Sequence, residues 1–277
     1  MNNIRKLCNA TNLKYLAMYL CFLDYIHQMF EGMGMPLWLT MLGRLVFPIF
    51  LFLAADSFHY THDRLAYLRR HGNVGLMNNA FSTFFIIGLY ICSWDLLSKG
   101  LRNKSYKELI QGLGLFLFPI LSSIPIVVLA GILETPHANP IVVQIVAFIL
   151  SLVPSILIAE GSFMMVILGL LFYIFRTNRI VQIIVLAIIS VIAHLFDPTT
   201  VQWMMIFAVI PMYFYNGERG SGNKNFFYIF YPAHIYLLWI LASFFQIRRQ
   251  RKSLYCLFSC SKSNFYNLFP ASKTAII

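Results

Sequence analysis

The stretch Gly43 to Arg64, GRLVFPIFLFLAADSFHYTHDR, sets the terms for what this chain can fold into. It is a bilayer-length apolar run that carries Arg44 near one end and Asp56 and His59 near the other. A charged side chain at mid-depth on a spanning helix costs about 2.5–3.5 kcal/mol on insertion scales, so such groups face protein or a polar cavity rather than lipid. Asp56 and His59 are three residues apart and share a helical face. The pattern predicts a membrane protein with polar chemistry inside it.

Composition points the same way. Of 277 residues, 59% are hydrophobic and 11% charged, more apolar surface than a soluble domain can cover. The 26 Phe and 15 Tyr suit lipid-facing and interfacial positions. The net charge of +11 has its basic residues in loops and tails, the distribution that orients a chain by the positive-inside rule. No basic helix or aromatic-basic sheet pattern outside the apolar runs suggests nucleic acid. Five scattered cysteines imply no disulfide framework, and no His or Cys set has zinc-ligand spacing, so no metal is expected. The basic start MNNIRKLCNATNLK lacks a small-residue cleavage site and is expected to lead into an uncleaved first helix.

Apolar windows predict an all-α polytopic membrane protein, a bundle of about nine transmembrane helices. The expected spans are Leu13–Phe30, Leu37–Tyr60, Leu76–Leu97, Leu109–Leu133, Ile141–Ile158, Ser162–Phe175, Ile180–Phe196, Val201–Tyr215 and Phe226–Ile247. The separators EGMGMP, ETPHANP, DPTT and NGERGSGNKN are turn-like and too short to fold alone. One membrane domain over residues 1–247 is therefore expected, followed by a basic, irregular tail, 248–277. That tail reads as an interfacial or disordered segment, or as a terminus standing where a further helix would be.

Arg5, Lys6 and Lys14 put the N-terminus in the cytoplasm, and Arg64, Arg69 and Arg70 return there after two spans. Lys99, Arg102, Lys104 and Lys107 follow after one further span. Either Leu76–Leu97 re-enters, or this basic loop is external.

Two segments are similar to a known family. GRLVFPIFLFLAADSFHYTHDRLAYLRR resembles the second-helix signature of the TraX family, and YNGERGSGNKNFFYIFYPAHIYLL resembles its C-terminal signature. FSTFFIIGL and AEGSFMMVILGLLFYIFR are weaker similarities in the same order, so the resemblance covers most of Leu13 to Ile247. It implies a bacterial, multi-pass protein of the cytoplasmic membrane, related to the acyltransferase 3 enzymes. The implied activity moves an acetyl group from acetyl-CoA to an amine of a small peptide, such as a pilin or pilin-like subunit. One departure stands out: the family's first helix ends in Asp-His, whereas CFLDYIHQMF has Asp24 followed by Tyr25. His27 lies three residues after Asp24 and shares its helical face.

Acetyl transfer to an amine needs a base, since only the neutral amine attacks and a free α-amino group has a pKa of about 8. Histidine suits that task, and a carboxylate one turn away can steady it. Asp24 with His27, and Asp56 with His59, both have the spacing. His234 follows Pro232 in the C-terminal signature, where a missing N–H breaks the backbone ladder. Arg44 is the candidate donor to a developing oxyanion. The catalytic candidates are thus Asp24, His27, Arg44, Asp56, His59 and His234.

Arg64, Arg69, Arg70 and Arg219 are candidate contacts for the donor's phosphates, with orientation of the chain as the competing role of the first three. NGERGSGNK is expected to be a tight turn rather than a phosphate loop, because Asn223 stands at the lysine position and no strand precedes it. Asp197-Pro198 reads as a helix stop. Two other readings stay open from sequence: a transporter whose polar residues line a path, and an inactive relative, suggested by Tyr25 and the tail.

Overall fold

The computed structural model describes residues 5, 7–59, 80–133, 145–146, 153–157, 162–222, 226, 229–230 and 233–245. Among them every regular element is helical: α1 (Ala10–Phe30), a single 3₁₀ turn (Glu31–Met33), α2 (Trp38–Gly43), α3 (Val46–His59), α4 (Ala80–Asn103), α5 (Tyr106–Leu121), α6 (Ser123–Leu133), α7 (Ser162–Ile174), α8 (Arg179–Phe196), a longer 3₁₀ helix (Val201–Ala208), α9 (Val209–Phe214) and α10 (Ala233–Phe245). Four stretches are long and apolar enough to cross a bilayer: Trp38–Phe58, Ser82–Asn103, Tyr106–Val128 and Arg179–Phe196. Phe163–Ile174, Val201–Phe214 and Ala233–Phe245 are shorter apolar helices. The chain is an all-helical membrane protein with four such spans among the described residues, where windows of hydropathy predict about nine. Most of the expected span Ile141–Ile158 and all of the tail 248–277 lie outside the described residues.

Three of the expected spans are interrupted, and proline is the cause each time. Pro48, Pro125 and Pro211 each occupy the third position of the second segment, in α3, α6 and α9. A proline cannot donate to the carbonyl four residues earlier and its ring crowds that carbonyl. Those carbonyls belong to Arg44, Leu121 and Phe207, and each lies at or beside an interruption. The third case includes eight residues of 3₁₀ helix, longer than the three or four that are usual.

The chain divides into two compact units, Met1–Cys21 with Met41–Ser221, and Phe22–Thr40 with Gly222–Ile277. In the first, α7 packs on α3, α4 and α8, while α8 also packs on the 3₁₀ helix and α9. Its core is Ile49, Phe52 and Phe58 from α3, Ile86 and Ile91 from α4, Met165, Leu168 and Phe172 from α7, and Leu186 with Met205. Helix α8 illustrates the sorting. Gln182, Leu186, Ile189, Ser190 and Ala193 are buried on one face, and Ile180, Ile184, Ile188, Val191 and Leu195 are exposed on the other. An exposed aliphatic stripe of that length belongs against lipid.

Helices α4 and α5 form a tight hairpin through small residues. A Cβ on Gly112 would come within 2.8 Å of Leu97 Cγ, and one on Gly100 within 2.9 Å of Leu109 Cγ. The Ser93 hydroxyl donates to the Gly112 carbonyl at 2.8 Å, and Lys99 pairs with Glu108 at 3.5 Å. Lys99 and Arg102 lie in the last turns of a 24-residue helix. Close backbone approach at small residues is how helices associate where lipid removes the hydrophobic drive. Gly112→Ala is expected to destabilise the hairpin by about 1–3 kcal/mol through overpacking, measured as a lower unfolding midpoint in detergent.

The second unit, Phe22–Thr40 with the described residues of 222–277, is built around aromatic contacts. Phe30 meets Phe245 edge-on at 6.0 Å, and Phe226 lies against Phe230 at 5.8 Å.

Candidate active site

In the first unit the span Trp38–Phe58 carries two polar points, one towards each end. Asp56 is half-buried and accepts from the Tyr215 hydroxyl at 3.1 Å. Tyr215 is itself 4% exposed, packs edge-on against Phe52 at 5.3 Å, and lies under the Arg179 guanidinium at 5.1 Å. Arg179 Nη1 also donates to the Tyr215 carbonyl. A tyrosine hydroxyl aimed at a carboxylate and seated by a cation on its ring is a fixed donor. Tyr215→Phe leaves Asp56 short of that donor. The expected cost is about 1.5–3 kcal/mol for a hydrogen bond to a charged group, read in the same unfolding assay.

The same construction recurs nearby. The Tyr173 hydroxyl donates to Asp95 at 2.8 Å, and Arg176 sits 4.4 Å over the Tyr173 ring while donating to its carbonyl at 3.0 Å. Arg176 and Arg179 flank Asn178, whose side chain accepts from Ile180 N–H and Val181 N–H and caps α8.

Arg44 lies at the proline break between α2 and α3. Its Nη1 donates to Gln202 Oε1 at 3.3 Å, and its Nε is buried with no partner among the described residues. Arg44 and Asp56 are about 18 Å apart along their span at roughly 1.5 Å rise per residue. Their partners differ accordingly, Gln202 at the start of the 3₁₀ helix and Tyr215 just after α9. The first unit does not bring these two candidates together. His59 ends α3, three residues beyond Asp56.

The glycine-rich segment is a structural turn, as its sequence suggests. Gly217 and Gly220 have positive φ, and the Glu218 and Arg219 carbonyls accept from Ala10 N–H at 2.9 Å and Thr11 N–H at 3.1 Å. These are orphan donors of the first turn of α1, so the turn caps that helix. A Cβ on Gly220 would come within 2.5 Å of the Asn9 side chain. The Glu218 carboxylate accepts from Asn216 at 3.1 Å, and the Arg219 side chain is exposed. Asp197 accepts from the Thr199 hydroxyl at 2.6 Å and its N–H at 3.0 Å, which hold its carboxyl below the ordinary range. It closes α8, as the helix-stop pattern predicts.

In the second unit, Asp24 is half-buried and accepts from the Thr40 hydroxyl and from Gln28 Nε2 at 3.0 Å. Its hydrogen bonds go to these residues and not to His27. His27 is 7% exposed, and its Nδ1 is buried with no partner among the described residues. His234 is 4% exposed, stacks on Phe230 at 4.7 Å, and makes a 2.7 Å hydrogen bond from Nδ1 to the Phe230 carbonyl. A carbonyl only accepts, so Nδ1 carries a proton. The Tyr25 ring meets His234 edge-on at 5.3 Å. Tyr25 is thus one of the walls around His234.

Arg64, Arg69, Arg70 and Pro232 lie outside the described residues. Sequence reasoning missed Thr40, Gln28, Gln202, Arg179 and Tyr215. The last opens the C-terminal signature, and Gln202 is the one strongly polar residue in VQWMMIFAVIPMYF. No group of three or more His, Cys, Asp or Glu side chains that could hold a metal occurs among the described residues.

Neither the curated proteins nor the solved structures contain a match to this chain. A family model described as TraX protein matches residues 9–242, from the cap of α1 into α10. That range takes in the α2–α3 span, the capping turn and the His234 helix. The chain belongs to the TraX family.

Proposed function

We propose that this protein is an acetyltransferase of the bacterial cytoplasmic membrane. It transfers an acetyl group from acetyl-CoA to the amine of a small secreted or membrane peptide, such as a pilin or pilin-like subunit. The observation that carries this reading is the family match over residues 9–242, which spans both signatures, the buried His27 and His234 and the half-buried Arg44. Intramembrane ionisable groups generally mark functional paths or sites, and that adds weight.

In the proposed reaction the neutral amine attacks the thioester carbonyl, a C–N bond forms and the C–S bond breaks. The coenzyme leaves as its thiol or thiolate, and the amine proton passes to a base. A histidine serves as that base: His27, His234 or His59, with Asp24 and Asp56 as carboxylates that order their surroundings. Arg44 is the proposed cation for an anionic group of the reaction. Arg64, Arg69, Arg70 and Arg219 are the proposed partners of the donor's phosphates. Charge-assisted bonds of that kind are roughly twice as strong as neutral ones.

The test is to feed labelled acetate to cells that express the protein together with candidate small pilin-like peptides. Label on a peptide amine only when the protein is present is the expected result. Absence of label with a competent acceptor present favours transport or an inactive relative.

A further inference from the structure

Among the described residues the guanidinium of Arg44 is held through Nη1 alone. Nη1 donates to Gln202 Oε1, while Nε is buried and without a partner among the described residues. Gln202 is itself oriented, since its Nε2 lies 3.7 Å from the Met205 sulfur and its oxygen is thereby turned to Arg44. The edge of a guanidinium that carries Nε and Nη2 is the one that grips a carboxylate or phosphate side-on with two parallel bonds. A neutral amide does not cancel the charge of this half-buried arginine, and a partly desolvated cation without a counter-charge is costly. The backbone around it is irregular on both sides, at the Pro48 break and in the 3₁₀ helix. In a membrane, irregular backbone is tolerated where it lines a site or is buried in protein.

We infer that Arg44 is the binding site for a two-oxygen anion, a carboxylate or a phosphate, and that Gln202 is the positioning residue that presents its Nε edge. Which reactant carries the anion rests on the proposed acetyl transfer; the site itself rests on the geometry. The two sources are a carboxylate of the acceptor and a phosphate of the acyl donor.

The experiment is thermal unfolding of the detergent-purified full chain, titrated separately with acetate, inorganic phosphate and coenzyme A against chloride at matched ionic strength. The wild type is expected to show a saturable rise in midpoint with at least one of them. Gln202→Glu, which puts a fixed carboxylate on the guanidinium, is expected to abolish that rise. Gln202→Met, which removes the acceptor at similar volume, should weaken the apparent affinity roughly three- to tenfold. Arg44→Lys keeps the charge without the fork and should weaken it further.

The midpoint without added anion reports any purely structural damage, so the anion response is read separately from it. A response to acetate alone assigns a carboxylate. One to coenzyme A much stronger than to phosphate, and lost in the same variants, assigns the donor. No saturable response in the wild type, or one unchanged in Gln202→Glu, overturns the site. A Gln202→Met response equal to the wild type overturns the positioning role. None of these readouts uses acetyl transfer, so failure of the site and failure of the proposed reaction are told apart.

Discussion

His27→Ala is expected to lower acetyl transfer about 10²–10⁴-fold, the loss that follows removal of a positioned base. His27 is buried, and its Nδ1 has no protein partner among the described residues. An orphaned polar atom in a native interior calls for an explanation, and a catalytic role is one of the few. His234 is the next candidate, because it is buried and its Nδ1 is anchored on the Phe230 carbonyl, which fixes the orientation of the ring. His59→Ala should be mild on this view. The reverse order, with His59→Ala the severe change, would move the base to the end of α3 beside Asp56. Tyr25→His should leave activity intact or raise it, since the new imidazole would stand where Tyr25 now meets His234. The rates are compared at matched expression, where a modest stability loss cannot imitate so large an effect.

The second large effect is expected from reversing charge at Arg64, Arg69 and Arg70 together. If they hold the donor's phosphates, the KM for acetyl-CoA should rise roughly ten- to hundredfold, as loss of one charge-assisted hydrogen bond of about 1.5–3 kcal/mol implies. Insertion, followed by protease accessibility of the termini, should be unchanged. Inverted topology with no separate change in KM would reduce the three to orienting charges.

Helix positions were legible because lipid enforces them. The ends of α1, α7 and α8 fall within about three residues of the apolar windows, within the usual scatter of helix boundaries. The breaks at Arg44, Leu121 and Phe207 were not read, although Pro48, Pro125 and Pro211 were in plain view. Hydropathy runs smoothly across a proline, whereas the hydrogen-bond ladder does not. Shared-face spacing placed Asp24 with His27, yet Asp24 turns to Thr40, sixteen residues away, and to Gln28. Spacing along one helix says which side chains are neighbours; it does not say which of several donors a carboxylate takes. Tyr215 and Gln202 were invisible for another reason. Their partners Asp56 and Arg44 are 159 and 158 residues away in sequence, and only tertiary packing joins them.

Acetyl transfer itself is measured with the purified protein in proteoliposomes, given acetyl-CoA labelled in the acetyl group and a pilin-like peptide with a free amine. The expected result is labelled amide on the peptide and release of one coenzyme thiol for each acetyl transferred, both lowered about 10²–10⁴-fold with His27→Ala. An unlabelled peptide and no thiol released above the protein-free control, with a competent acceptor present, would contradict it.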